Sequence, residues 1–260
     1  IDNNQVATYG GGGVNIDGTF TLNGGTISNN TAAQDGGGLR IGAGTVIINS
    51  GTITSNNATR GGGIFISSVG LATIKNGNIV NNSSKQKGAG ISTTGILILE
   101  NGSIIHNHTE DEGGGIYASG INNKNCTITI KGGTISNNKA TQGGGVSIVH
   151  GATVTMAGGV ISKNEATTNV GGVGLWNGSK FVLDGGTIRN NSANGRGGIS
   201  AWASTGHTTS VILNGGAVKN NTATTANGGI GVNEASQYTY KSGTVCGNRP
   251  TNAYERSTNC

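Results

Sequence analysis

The chain has 260 residues, of which 51 are Gly, 34 Asn and only one Pro, with 10% charged residues, 4% aromatics and a formal charge of +5. Scarce proline and the lack of a Gly-X-Y period exclude collagen, the wealth of β-branched residues opposes disorder, and no apolar run approaches the ~20 residues of a membrane helix. The 16 Lys and Arg are scattered singly, which argues against nucleic acid as a partner, and Cys126, Cys246 and Cys260 fit no zinc spacing.

The chain opens on Ile1 with no signal-peptide pattern, so it reads as a mature product or a piece of something longer. The phrase GGTISNN at Gly24–Asn30 then recurs to the end of the sequence. Its aliphatic anchor falls at Ile1, Ile27, Ile53, Ile79, Ile104, Ile135, Ile161, Ile188, Val218 and Val245, with spacings of 25 to 31 residues. Three residues after each anchor stands an asparagine: Asn4, Asn30, Asn56, Asn82, Asn107, Asn138, Asn164, Asn191, Asn221 and Asn248. A small residue follows two positions later, as at Ala32, Ala140 and Ala193. A glycine cluster then leads into an alternating apolar pair, such as Leu39/Ile41 or Val146/Ile148. Before the next anchor comes a second pair, such as Val46/Ile48 or Ile128/Ile130.

Alternation with period 2 means strand, with every second side chain facing inward. One repeat cannot bury its inward row alone, whereas stacked repeats with parallel strands bury all the rows together. Three short strands and three turns in about 27 residues predict one coil of a parallel β-helix. The expected fold is therefore all-β, a single solenoid of about nine coils over residues 1–245, with 246–260 as a C-terminal cap or linker. The general crossover rule makes it right-handed. The ten asparagines are expected inside one corner, stacked coil over coil as a hydrogen-bonded ladder.

The glycine-cluster-plus-aliphatic phrase, GGGI at Gly113–Ile116, and the IxxN phrase at Ile27–Asn30 resemble the GGAI and FxxN repeats of chlamydial polymorphic membrane proteins. More broadly the pattern is similar to the right-handed parallel β-helix group that includes pectate lyases and bacterial adhesin passengers. The resemblance implies an extracellular location at a bacterial surface and an adhesin-like stalk or passenger, non-catalytic, whose partner is a host or environmental surface. It implies no cofactor. The alternative on the same fold is an enzyme, a lyase or glycoside hydrolase, that degrades polysaccharides.

A catalytic centre is hard to find in the sequence. No two carboxylates occupy equivalent strand positions on adjacent coils, as general acid–base hydrolysis would want. The acidic run Glu110-Asp111-Glu112 lies in a turn whose neighbours one coil back and one coil forward carry Lys85, Lys87 and Lys139. Cross-coil ion pairs explain it, with a calcium site as the alternative. His106 and His108 lack a third ligand.

One column stands out. The outward residue between the two inward ones of the third strand reads, up the coils, Asn15, Arg40, Phe65, Ser92, Tyr117, Ser147, Trp176, Ser200 and Gly231, with Trp202 following on the eighth coil. Rings on alternate coils would lie about 9–10 Å apart, a spacing suited to stacking against an extended glycan. Phe65, Tyr117, Trp176 and Trp202 are thus the candidate ligand-binding residues. Two lengthened loops, Ser119–Thr127 with Cys126 in it and Ala203–Ser210, emerge beside that column. Cys246, expected to face outward, and Cys260 would form a disulfide closing the last coil in an extracellular setting. An intermolecular bond or free thiols are the alternatives.

Overall fold

A computed structural model describes residues 1–120 and 126–250. These residues form an all-β parallel solenoid of about nine coils, with 34 short strands. A representative coil runs through Thr127–Ile130, Thr134–Ser136, Lys139–Ala140 and Val146–Val149 before the next begins at Thr153. We call these the leading, anchor, short and third strands. All pairing is with the equivalent strand one coil above or below. The anchors stack without offset, Ile79 beside Ile104 and Ile104 beside Ile135.

Each coil therefore holds one strand more than expected, the dipeptide that follows the ladder asparagine. The short strands form one nine-stranded sheet and the third strands another. Leading and anchor strands merge into a single sixteen-stranded sheet. The merger has a local cause. In the first two coils the chain stays extended through the turn, as Thr19–Ser28 and Thr45–Thr54, with its register shifting around Asn23.

The inward rows build one continuous apolar core. Val46/Ile48, Leu97/Leu99, Val154/Met156 and Phe181/Leu183 from the leading strands are buried with the anchors and with third-strand residues such as Ile64/Ile66 and Val173/Leu175. Side chains of this size contribute about 1.5–3 kcal/mol each when fully buried. The shaft can be thin because equivalent residues lie only ~4.8 Å apart along it.

The asparagine ladder occupies the corner after the anchor. Nδ2 of each asparagine donates to Oδ1 of the next, at 2.8–3.1 Å from Asn4 to Asn248. Its second proton goes to an anchor carbonyl one coil back, for example Asn138 to Ile104 O at 2.9 Å. Oδ1 of Asn138 accepts both the side-chain and the backbone N–H of Asn107, each at 3.0 Å. All four valences of the amide are thus filled, as burial requires. Asn30 to Asn248 are buried. Asn4, on the first coil, is exposed, a departure from a ladder buried throughout.

The residue just before the ladder turns the chain through the left-handed region in every coil, as at Asn29, Ser55, His106, Lys163 and Gly247, with φ between 54° and 62°. This gives the Asn-Asn pairs of the sequence two unlike members, an outer one that tolerates positive φ and an inner one that bonds. The glycine cluster packs against the same corner. A Cβ on Gly115 would sit 2.6 Å from Gly145 O, 2.8 Å from Ile135 Cγ2 and 3.0 Å from Asn138 Nδ2. The third glycine of the cluster is therefore required by close approach, not by an unusual dihedral.

Pairing continues past residue 245. Asn221 bonds Asn248, and Thr222 bridges Arg249. Cys246 pairs with Lys219 in the register of an outward residue, and there it is covered, only 1% exposed. Cys246 is disulfide-bonded, and Cys260 lies outside the described residues.

Candidate functional site

The third strands carry the candidate site on their outer face. Their register corrects the sequence reading at one position. Asn15, Arg40, Phe65, Ser92, Tyr117 and Ser147 do form a column, but the next members are Gly174, Ser200 and Gly231. Trp176 stands two residues further along and pairs with Trp202. The inward residues of this coil are Val173 and Leu175, which take the stacks of Val146 and Ile148. Gly174 between them has no side chain to announce its place. Because i and i+2 share a face, Trp176 still points outward, and its indole folds back over Gly174, where any Cβ would overlap the ring.

The four rings differ sharply in exposure. Phe65, expected to be open, is only 6% exposed and lies under the Arg60 guanidinium, 5.1 Å from the ring centroid. Arg60 is fixed there by a two-pronged ion pair with Asp35, at 2.7 and 2.9 Å. Tyr117 is half-buried, with Lys87 Nζ 5.2 Å from its centroid. Trp176 is half-buried and Trp202 is 46% exposed. The expected four-ring platform therefore reduces to two adjacent indoles and part of a tyrosine. Ser92, Ser147 and Ser200 are buried between these coils. Small residues between the rings leave room for a ring to lean over its neighbours, as Trp176 does over Gly174.

The rim of this face was missed in the sequence. The residue just before the glycine cluster reads Asp35, Arg60, Lys87, Glu112, Gln142, Val170 and Arg196 up the coils. Its mostly long, polar side chains at one repeat position were the available signal. Lys87 bonds Asp111 at 2.9 Å and Glu112 at 3.4 Å, so part of the acidic run does pair across coils. Lys139 instead pairs with Glu165 at 3.3 Å, the residue directly beside it in the short-strand sheet. Among the described residues no group of three or more His, Cys, Asp or Glu could hold a metal ion. The ammonium of Lys87 occupies the position between the carboxylates.

Two hollows adjoin along the face and share Trp176. The first, about 190 Å³, is lined by Lys87, Glu112, Tyr117, Gln142, His150 and Trp176, among others. Burial works to lower the pKa of Lys87, but the bond to Asp111 and the charge of Glu112 hold it above the usual lysine value. Burial pushes Tyr117 up, against the pull of Lys87. Both groups thus stay protonated, away from the range in which a proton-abstracting base works. The second hollow, about 390 Å³, is lined by Asn169, Trp176, Arg196, Ser200 and Trp202. Its size lies within the ~300–1,000 Å³ of small-molecule sites.

The loop from Ala203, which follows Trp202 in the chain, is tied down. Ser204 Oγ donates to Asn177 Oδ1 at 3.0 Å and Thr209 Oγ1 to Trp202 O at 3.3 Å. The other long loop falls partly at 121–125, outside the described residues. Its Cys126 is not a loop residue in any open sense. The thiol is buried in the core, at the corner position that Ala152 takes one coil on, and donates to Thr93 O at 3.6 Å. Burial pushes its pKa up to about 12.

Comparison with protein-family models, curated proteins and solved structures returned no match. The class of the molecule is defined by its own architecture, a parallel β-solenoid with an asparagine ladder. Among the described residues no helix is long and apolar enough to cross a membrane.

Proposed function

We propose that the chain is the rod-like segment of a bacterial surface adhesin, extracellular and non-catalytic, which presents a glycan-binding face on its third-strand sheet. The observation that carries this reading is the pair of indoles on neighbouring coils, Trp176 and Trp202, beside a hollow rimmed by Asn169, Arg196 and Ser200. An aromatic floor with a few polar side chains suits the apolar face and the hydroxyl edges of a sugar ring. A disulfide-bonded Cys246 supports an oxidising compartment. The evenness of the remaining coils suits a scaffold that sets distance, with specificity confined to one stretch of its surface.

A glycan array probed with the purified chain tests this. Binding is expected, weakened strongly by Trp176→Ala and by Trp202→Ala, with Phe65→Ala affecting stability and not binding. Binding that survives both tryptophan changes removes the platform. Appearance of new reducing or unsaturated ends during incubation replaces the adhesin reading with the lyase or hydrolase alternative.

A further inference from the structure

We infer that the hollow between Trp176 and Trp202 selects saccharides that carry a carboxylate, with Arg196 as the residue that recognises the charge. This inference rests on the glycan-binding reading and names its ligand class. The argument begins with the cations of the rim. Arg60 is neutralised by Asp35, and Lys87 by Asp111 and Glu112. Arg196 occupies the same position in its coil, directly before the glycine cluster, yet meets no carboxylate within ion-pair reach among the described residues. Its guanidinium lies across the sheet face over Gly231, where a Cβ would overlap it. Its Nη1 reaches Ser200 Oγ at 3.3 Å, and its buried Nε has no hydrogen-bond partner among the described residues.

A guanidinium held on an aromatic-walled surface, with the neutral Ser200 hydroxyl as its side-chain partner among the described residues, keeps unused donors and an uncompensated charge. Such a group is suited to a planar carboxylate, which guanidinium binds through paired N–H donors. The two indoles supply what the charge alone does not. Equivalent positions on adjacent coils are ~4.8 Å apart, so Trp176 and Trp202 together offer a surface the length of about one pyranose ring. Trp202 is also the more exposed of the two, at 46%, which places an open stacking face at the mouth of the hollow. Asn169 donates its Nδ2 to Gln142 Oε1 at 2.7 Å, which leaves its amide oxygen at the rim for a ring hydroxyl.

The chain has only two tryptophans, both at this hollow, so their emission reports on it directly. The full chain is titrated with hyaluronan hexasaccharide and with sialyllactose, each against its neutral counterpart, chitohexaose and lactose. The expected result is a change in tryptophan emission with at least one acidic probe, bound at least about tenfold more tightly than its neutral partner. Arg196→Gln should abolish that preference, Arg196→Lys should restore part of it, and circular dichroism should be unchanged in both. Equal binding of acidic and neutral probes, or a preference that survives Arg196→Gln, overturns the charge assignment and leaves glycan binding standing. Silence of all four probes here and of the whole glycan array overturns both. Silence of the four probes with neutral glycans binding on the array overturns the charge assignment alone.

Discussion

At the scale of single residues, the ladder asparagine is the most constrained position in the molecule. Aspartate cannot donate, a longer amide would not reach the same partners, and an apolar residue leaves the groups above and below unanswered. Asn138→Ala would take the amide donor from Ile104 O and the acceptor from both the backbone and side-chain N–H of Asn107, and would leave Asn164 Oδ1 with only the backbone N–H of residue 138. It should cost about 1–3 kcal/mol, read as a lower urea midpoint with an unchanged m-value. A midpoint equal to the wild type would remove the ladder from what holds the coils together. Cys126 gives a second residue-level prediction. With a pKa of about 12, its thiolate fraction at pH 8 is on the order of 10⁻⁴, and the thiolate is the reactive form. Iodoacetamide at pH 8 should leave it unmodified until denaturant is added. Native-state modification, read by peptide mass spectrometry, would show that the corner opens.

The elements show where a sequence is readable and where it is not. The anchors and the ladder were legible because each recurs as a side chain of fixed type, and their stacking follows from the period alone. The short strand was hidden because two residues are too few to show alternation; only its small inward residue, such as Ala140 or Ala193, marked it. The third strand shows a different failure. Its outward register rests on the inward pair, and at Val173-Gly174-Leu175 a glycine sits in the outward place while a conspicuous tryptophan follows. Composition drew attention to Trp176, but only backbone pairing shows that it belongs beside Trp202. Exposure was equally unreadable for Phe65, since it depends on Arg60 folding over it from a turn. The same reasoning explains why the candidate hollow was half visible. Its tryptophans came from the sequence, whereas Arg196 and Asn169 come from the turn before the glycine cluster and join the strand only in three dimensions.

For the whole molecule, the repeated coil separates two tasks. Core and ladder are nearly uniform from one end to the other, and each coil is stabilised chiefly by its neighbours, as in other solenoids. Outward positions are free to vary, and they do so most on the third-strand face, where rings, cations and the longer loops gather. A function confined to that face leaves the other two sheets as scaffold. Hydrogen–deuterium exchange of the full chain, with and without a glycan that the array identifies, tests this division most directly. The account predicts added protection in 169–177 and 196–207, with exchange in the short-strand sheet and the ladder corner unchanged. Protection that appears on the short-strand or leading-strand face, or that spreads evenly over all coils, would contradict it.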